Sequence, residues 1–272
     1  MDLPPARWAV NCSLLLTELP LLERPGAARA AGFDAVELWW PFASPVPADR
    51  EVDALVTAVR DAGVQLVLLN TWGGEMAAGE RGVASLPGRE AEFRANLDVA
   101  AGLAQALACP TLHVLYGRRD GSDPAAQDAL AAEHLERAAA VAGAAGAQVV
   151  VEALSGVGDY PLRTAADVLR VLDGLAPGLP VRLLCDLYHL TVNGDDPREV
   201  VRRHADRVGH VQVADVPGRH QPGTGTLDVA GCLDALRAAD YRGWVGLEYV
   251  PLGPSEDSFA WLPLGRRGSG AA

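Results

Sequence analysis

"VGHVQVAD", residues 208–215, has the apolar character of a buried strand, and the turn-rich loop "VPGRHQPGTG" (216–225) follows it. Strand side chains alternate faces, so Val211 and Val213 point one way while Gln212 and Ala214 point the other. A valine would pack more easily than Gln212. The ordinary reading of such a residue is an interior amide satisfied by backbone groups, because buried polar groups are usually hydrogen-bonded. How often the pattern recurs decides what it means.

Seven more short β-rich runs surround it: "RWAVN" (7–11), "DAVELWW" (34–40), "VQLVLLN" (64–70), "TLHVLYG" (111–117), "QVVVEAL" (148–154), "VRLLCD" (181–186) and "GWVGLEYV" (243–250). Segments of helical periodicity separate them, among them "EVDALVTAVRDAG" (51–63) and "TAADVLRVLDGL" (164–175). Thr164 with Asp167 reads as a capping box, and Asp196 precedes Pro197 at a first helical position. Gly32 and Gly63 sit where helices end before the next strand. Eight strands alternating with helices in 272 residues predict an α/β fold, a (β/α)8 TIM barrel, whose usual size is about 250 residues. An open doubly wound sheet would be expected to show GxGxxG after a first strand, and none occurs. No linker or shift of composition divides the chain. The expectation is one domain over residues 1–272 with a core at about 7–262, and "GRRGSGAA" (265–272) as a frayed tail.

Composition narrows the function classes. Hydrophobic content of 49% supports a sizeable core, and a formal net charge of −12 argues against a nucleic-acid partner. No apolar run approaches the roughly 18 residues of a membrane span, and "MDLPPARWAV" lacks the pattern of a secretory leader. Cys12, Cys109, Cys185 and Cys232 form no CxxC pair and read as buried thiols in a reducing, cytoplasmic compartment. Homo-oligomerisation is neither required nor excluded.

In a TIM barrel the active site lies at the carboxyl ends of the strands. Those ends carry Glu152, Asp186, Gln212 and Glu248 on strands five to eight, spaced by 34, 26 and 36 residues, about one βα unit each. Three carboxylates converging in a barrel mouth repel one another unless a positive charge lies between them. A divalent cation resolves this, and oxygen-only ligands point to Mg²⁺ or Mn²⁺ rather than a structural zinc. Gln212 then supplies an amide oxygen without a fourth negative charge. His189, three residues beyond Asp186, could hold a substrate oxygen or be a loop histidine. Arg219 could grip a substrate carboxylate bidentately or be solvated. Glu37 reads as a structural acid and His113 as a barrel-interior residue. Trp39, Trp40 and Phe42 either wall the pocket or pack beside it.

With these residues the sequence resembles the hydroxypyruvate isomerase family, within the larger group of xylose-isomerase-like barrels. The likeness runs over roughly residues 7 to 262. Its clearest pieces are "AAGERG" (77–82), "PGRE" (87–90), "DLYH" (186–189), "GHVQVAD" (209–215), "PGTG" (222–225) and "YRGWVGLEY" (241–249). The resemblance implies metal ligation by Glu152, Asp186, Gln212 and Glu248, with Glu152 and Glu248 as the two catalytic acids. Two neighbourhoods depart from the family pattern. "EALS" (152–155) replaces a Glu-Pro-x-Asn stretch, and "NTWGGE" (70–75) replaces an Asn-Leu-Pro-Ala-Gly-Asp loop, keeping Asn70 at the substrate but introducing Trp72. Both are expected to border the pocket and to bear on substrate choice.

The implied activity is metal-dependent aldose–ketose isomerisation of a small 2-oxo hydroxy acid through an enediolate. Hydroxypyruvate and tartronate semialdehyde (2-hydroxy-3-oxopropanoate) are the leading pair, which would place the protein in carbohydrate and glyoxylate metabolism. A 2-dehydrotetronate (2-oxo-tetronate) isomerase is the near alternative and a ketose 3-epimerase the farther one. A metal phosphodiesterase of the endonuclease IV type would need more histidine ligands and a basic face. A non-catalytic sugar-binding barrel would not need both acids. No nicotinamide, flavin or phosphate motif occurs. The Gly-rich loop from Asn70 to Gly88 suits a lid that excludes water.

Overall fold

Eight parallel strands close into a barrel in simple chain order in the computed structural model, which describes residues 3–268. They are β1 (Arg7–Asn11), β2 (Ala35–Leu38), β3 (Gln65–Asn70), β4 (Thr111–His113), β5 (Gln148–Glu152), β6 (Val181–Asp186), β7 (Val208–Val213) and β8 (Trp244–Leu247). β8 pairs with β1 to complete the ring, so the sheet has no free edge. The helices are α1 (Arg24–Ala30), α2 (Asp49–Ala62), α3 (Glu90–Leu107), α4 (Pro124–Ala144), α5 (Ala165–Asp173), α6 (Leu187–Asn193), α7 (Pro197–His204), α8 (Val229–Ala238) and α9 (Ser255–Ser258). This is a single-domain TIM barrel.

The local signals act as read. Thr164 and Asp167 form the reciprocal capping box that starts α5, and Asp196 caps α7 ahead of Pro197. Gly63 takes a left-handed φ of 65° at the end of α2. On α5, Ala165, Val168, Leu169 and Leu172 fall on one stripe and are buried, as three-and-four spacing requires. Each such Val or Leu removed from water contributes roughly 1.5–3 kcal/mol.

The barrel interior is packed below and polar above. Leu68, Val150 and Leu184 form one interior cluster, each two residues before Asn70, Glu152 and Asp186 and so on the same strand face. Ala9, Ala35, Val67 and Trp244 form another toward the opposite end, where the Arg7 guanidinium lies 3.9 Å above the Trp244 ring. Gly246 leaves room between these layers, since a Cβ there would meet Glu37 Oε1 at 1.9 Å.

Two expectations change. β4 ends at His113, short of the 111–117 run, because residues 114–117 turn toward the 70–88 loop. Ser85 N–H donates to Tyr116 O, and Gly82 approaches Leu115 O so closely that no side chain fits. The expected frayed tail is docked as far as it is described. Arg267 donates to the carbonyls of Leu262, Ala31 and Phe259 at 2.9–3.0 Å, and Arg266 donates to Leu3 O. The remainder, 269–272, lies outside the described residues. The four cysteines are buried free thiols. No helix among the described residues is long and apolar enough to cross a membrane.

Candidate active site at the carboxyl end of the barrel

Every strand delivers a buried polar residue at or beside its carboxyl end: Asn11, Glu37, Asn70, His113, Glu152, Asp186, Gln212 and Glu248, all at most 5% exposed. Strand pairing sets neighbours side by side, Asn11 with Glu37, Asn70 with His113 and Asp186 with Gln212. Above them a cavity of about 180 Å³ is lined by Trp39, Asn70, Arg81, Glu152, Ser155, His189, Arg219 and Glu248, among others.

Gln212 now has a physical account. Its Nε2 donates to Glu37 Oε2 at 2.8 Å, and His210 Nε2 bonds the other Glu37 oxygen. Glu37 accepts only, so it selects which end of the amide faces it, and Oε1 is turned away and left without a partner. Glu37 is the structural acid expected, and its task is to orient Gln212.

Asp186 is divided in the same way. Its Oδ1 accepts from the N–H groups of Tyr188 and His189 at 2.8 and 3.2 Å, capping α6, while Oδ2 is buried without a hydrogen bond. The α6 turn also places His189, whose Nδ1 accepts from Ser155 N–H at 3.0 Å and lies 2.7 Å from Ser155 Oγ. A backbone N–H can only donate, so the ring proton sits on Nε2, 3.7 Å from Asp186 Oδ2. Burial pushes the His189 pKa down to about 4, partly offset by Asp186, so the ring is a neutral donor.

His113 and Asn70, on neighbouring strands, meet at the barrel mouth. His113 Nδ1 contacts Asn70 Oδ1 at 3.1 Å, an acceptor, which leaves Nε2 as a lone pair 3.4 Å from Glu152 Oε1. Burial, reinforced by His210 and His189, takes the His113 pKa to about 3. The interior reading of His113 stands, but its Nε2 faces the site, which strand alternation from Glu152's neighbour could have shown.

Glu152 and Glu248 are held well above the usual carboxylate range. For Glu152 the causes are burial, then Glu248 and Asp186. For Glu248 burial raises the pKa to about 8, with Asp186 and Glu37 adding to it, against the pull of Arg219 and a hydrogen bond from Trp39. Arg219 Nη2 donates to Glu248 Oε1 at 2.6 Å and lies 3.9 Å from Asp186 Oδ2. Its position is set by Asp215, whose carboxylate accepts from the N–H groups of Val216, Gly223, Gly225 and Leu227 at 2.8–3.0 Å. "PGTG" follows from this knot, because a Cβ at Gly225 would meet Val216 O at 2.2 Å.

Among the flanking aromatics, Trp39 lines the cavity, whereas Trp40 and Phe42 pack edge-to-face at 5.2 Å outside its lining. The two sequence departures separate likewise. Ser155 lines the cavity and holds His189, while Trp72 is tied to α3, its N–H groups donating to Asn96 and Glu92. Trp72 does not border the cavity as expected.

The donor set suits a divalent cation. Glu152 Oε2, Asp186 Oδ2 and Gln212 Oε1 are all buried oxygens without a hydrogen-bond partner, and they come from three adjacent strands. Ligand atoms of Glu152, Asp186 and His189 lie within 4.8 Å of one another. Binding through His189 Nε2 would require moving its proton and losing the bond from the Ser155 backbone N–H.

The fold and site define the class: the xylose isomerase-like TIM barrel family matches residues 25–263, and the chain belongs to it. A Streptomyces coelicolor protein provisionally named hydroxypyruvate isomerase is 53% identical over 96% of this chain and 97% of its own length. A 2-oxo-tetronate isomerase of Pectobacterium atrosepticum is 33% identical over 94% of this chain and 96% of its own. The crystal structure of a Brucella melitensis protein described as an AP endonuclease of family 2 superposes with a TM-score of 0.87, at 35% identity, covering 95% of this chain and 98% of that one.

Proposed function

We propose that this isomerase interconverts a small 2-oxo hydroxy acid and its aldehyde isomer, hydroxypyruvate and 2-hydroxy-3-oxopropanoate being the leading pair, with Mg²⁺ or Mn²⁺ at the site. The observation that carries the reading is the set of three unpartnered buried oxygens, on Glu152, Asp186 and Gln212, beside the Glu248 carboxylate. These four residues are the ligands in this reading. A divalent cation held by them would supply Lewis acidity, which acidifies the carbon beside a carbonyl.

The protein's own groups do the rest. One of Glu152 and Glu248 takes a proton from one carbon while the other returns a proton to its neighbour, each contributing about 10²–10⁴ in rate. Without a cation, burial raises both carboxyls, with Glu248 and Asp186 adding to it for Glu152. His189 donates its Nε2–H to a substrate oxygen, and Ser155 holds the ring in the tautomer that can do so. Asn70 orients His113, whose free Nε2 accepts from a substrate hydroxyl or from protonated Glu152. Arg219 steadies Glu248 from the open side.

The cavity of about 180 Å³ is well below the roughly 300–1,000 Å³ of sites for drug-sized ligands. That size supports three- and four-carbon acids, keeps 2-oxo-tetronate as the near alternative, and disfavours ketose 3-epimerisation. The name of the Brucella relative raises phosphodiester hydrolysis, which fits poorly with an acidic chain and a site rich in carboxylates. The names of the Streptomyces and Pectobacterium relatives support the isomerase reading.

The test is to strip the protein with a chelator, add back Mg²⁺ or Mn²⁺, and incubate it with three- to six-carbon keto acids and ketoses. Turnover of a three- or four-carbon 2-oxo acid that vanishes on chelation is expected. Full activity in rigorously metal-free protein would overturn the metal assignment.

A further inference from the structure

Two arginines line the cavity, and they differ in one respect. Arg219 is paired with Glu248 at 2.6 Å, so much of its charge is already answered within the protein. Arg81, on the "AAGERG" segment, lies within 4 Å of no carboxylate among the described residues. Its Nη1 donates to two backbone carbonyls, Met76 O at 3.0 Å and Glu80 O at 2.6 Å. Those bonds fix the guanidinium and leave its Nε–Nη2 edge, the pair of parallel N–H groups that grips a carboxylate side by side, without an acceptor among the described residues.

The segment that carries Arg81 is itself fixed. Gly79 and Gly82 take φ of 94° and 100°, and Gly82 N–H donates to Gly73 O at 2.8 Å. A Cβ at Gly82 would meet Leu115 O at 2.2 Å, so the loop sits flush against the end of β4. His134 Nδ1 and Gln127 Nε2 hold it from outside through the carbonyls of Ala84 and Ser85.

We infer that Arg81 is the anchor for the substrate carboxylate, and that Arg219 serves the reacting end of the substrate through Glu248. The inference rests on the keto-acid reading above and deepens it. It makes Arg81 the residue that separates 2-oxo acids from neutral ketoses of equal length, and it gives the bound acid one direction in the cavity.

The experiment uses the Mg²⁺-loaded full chain with Arg81→Met and Arg81→Lys, melting curves confirming that each is folded. Glycerate, a three-carbon carboxylate without a carbonyl, is titrated calorimetrically, with glycerol as the uncharged control. Arg81→Met should weaken glycerate binding roughly 30- to 100-fold and raise KM for hydroxypyruvate similarly, with the larger share of the loss in KM rather than kcat. Arg81→Lys should recover part of both. If Arg81→Met binds glycerate as the wild type does while the wild type isomerises keto acids, the anchor is refuted and the proposed function stands. If glycerate binding depends on Arg81 but no keto acid is turned over, the anchor stands and the proposed function fails. Wild-type protein that binds glycerate no better than glycerol refutes the anchor. Should Arg81→Met not fold, Arg81→Gln, polar but uncharged, carries the same test, and unaltered glycerate affinity in it refutes the anchor equally.

Discussion

Glu37 acts on the site through another residue, since its oxygens are taken up by Gln212, His210 and, more distantly, Asn11. Gln212→Leu should fold yet bind Mn²⁺ more weakly, and unchanged affinity by calorimetry would return Gln212 to the role of an interior amide. Glu37→Gln removes the acceptor that fixes the Gln212 amide, so it should weaken Mn²⁺ binding as well, though by less. Glu152→Gln and Glu248→Gln test proton transfer. Each should lose isomerisation by at least the 10²–10⁴ expected of an acid–base group. With substrate deuterated at the ionising carbon, only the variant that keeps the base for that carbon should still wash label into solvent. Near-normal turnover in both would exclude the two-carboxylate mechanism. The same glutamates set a pH response in the metal-free protein. A carboxyl raised to about 8 in the fold, against roughly 4.3 unfolded, contributes stability below the unfolded value that is lost as pH rises through the folded one. His113 and His189, depressed to about 3 and 4, work oppositely, but their effect is complete by about pH 6.5. Between pH 6.5 and 8 the metal-free protein should therefore lose roughly 1–2 kcal/mol. Thermal melts should show Glu248→Gln reducing that slope; an undiminished slope would show that the pH response does not come from Glu248.

Among the elements, the β7–α8 connection shows most plainly what a sequence does and does not reveal. Its glycines and prolines mark a shaped loop, but nothing in "VADVPGRHQPGTG" announces that Asp215 gathers four N–H groups into one carboxylate. Asp215→Ala leaves those donors without their acceptor and should cost about 2–4 kcal/mol, measurable by denaturant titration. It should also lower kcat, because Arg219 stands in that loop at a φ of 59°. The strand ends were legible because alternation and βα spacing are local arithmetic, which brings Glu152, Asp186, Gln212 and Glu248 to one rim. The Asn70–His113 pair was not, because it follows from the β3–β4 register, which neither strand's sequence states; the Ser155–His189 bond and the placement of Arg81 were not, because they depend on how separate connections pack. β4 illustrates the same limit: its apolar run continues to Tyr116, yet the Tyr116 carbonyl accepts from Ser85 N–H of the 70–88 loop.

At the scale of the molecule, the barrel divides its labour along its axis. Apolar layers fill the lower interior, and the ring of eight polar residues occupies the upper end. Gly246 stands where the two meet, and Gly246→Ala should force Glu37 aside and lower both the melting temperature and Mn²⁺ affinity. Retention of both would show that the Glu37 side chain yields without cost. The docking of Arg267 against Ala31, Phe259 and Leu262 ties the chain after β8 to the α1–β2 region, and so braces the strand that Glu248 directly follows. Trp39 has a different kind of consequence. Of the six tryptophans in the chain it is the one that lines the cavity and hydrogen-bonds Glu248. Its emission is therefore a built-in optical gauge of the site. Variants keeping Trp39 but lacking the other indoles would report loading by metal or by a carboxylate through a change in colour or intensity, in protein carrying no added label and performing no turnover.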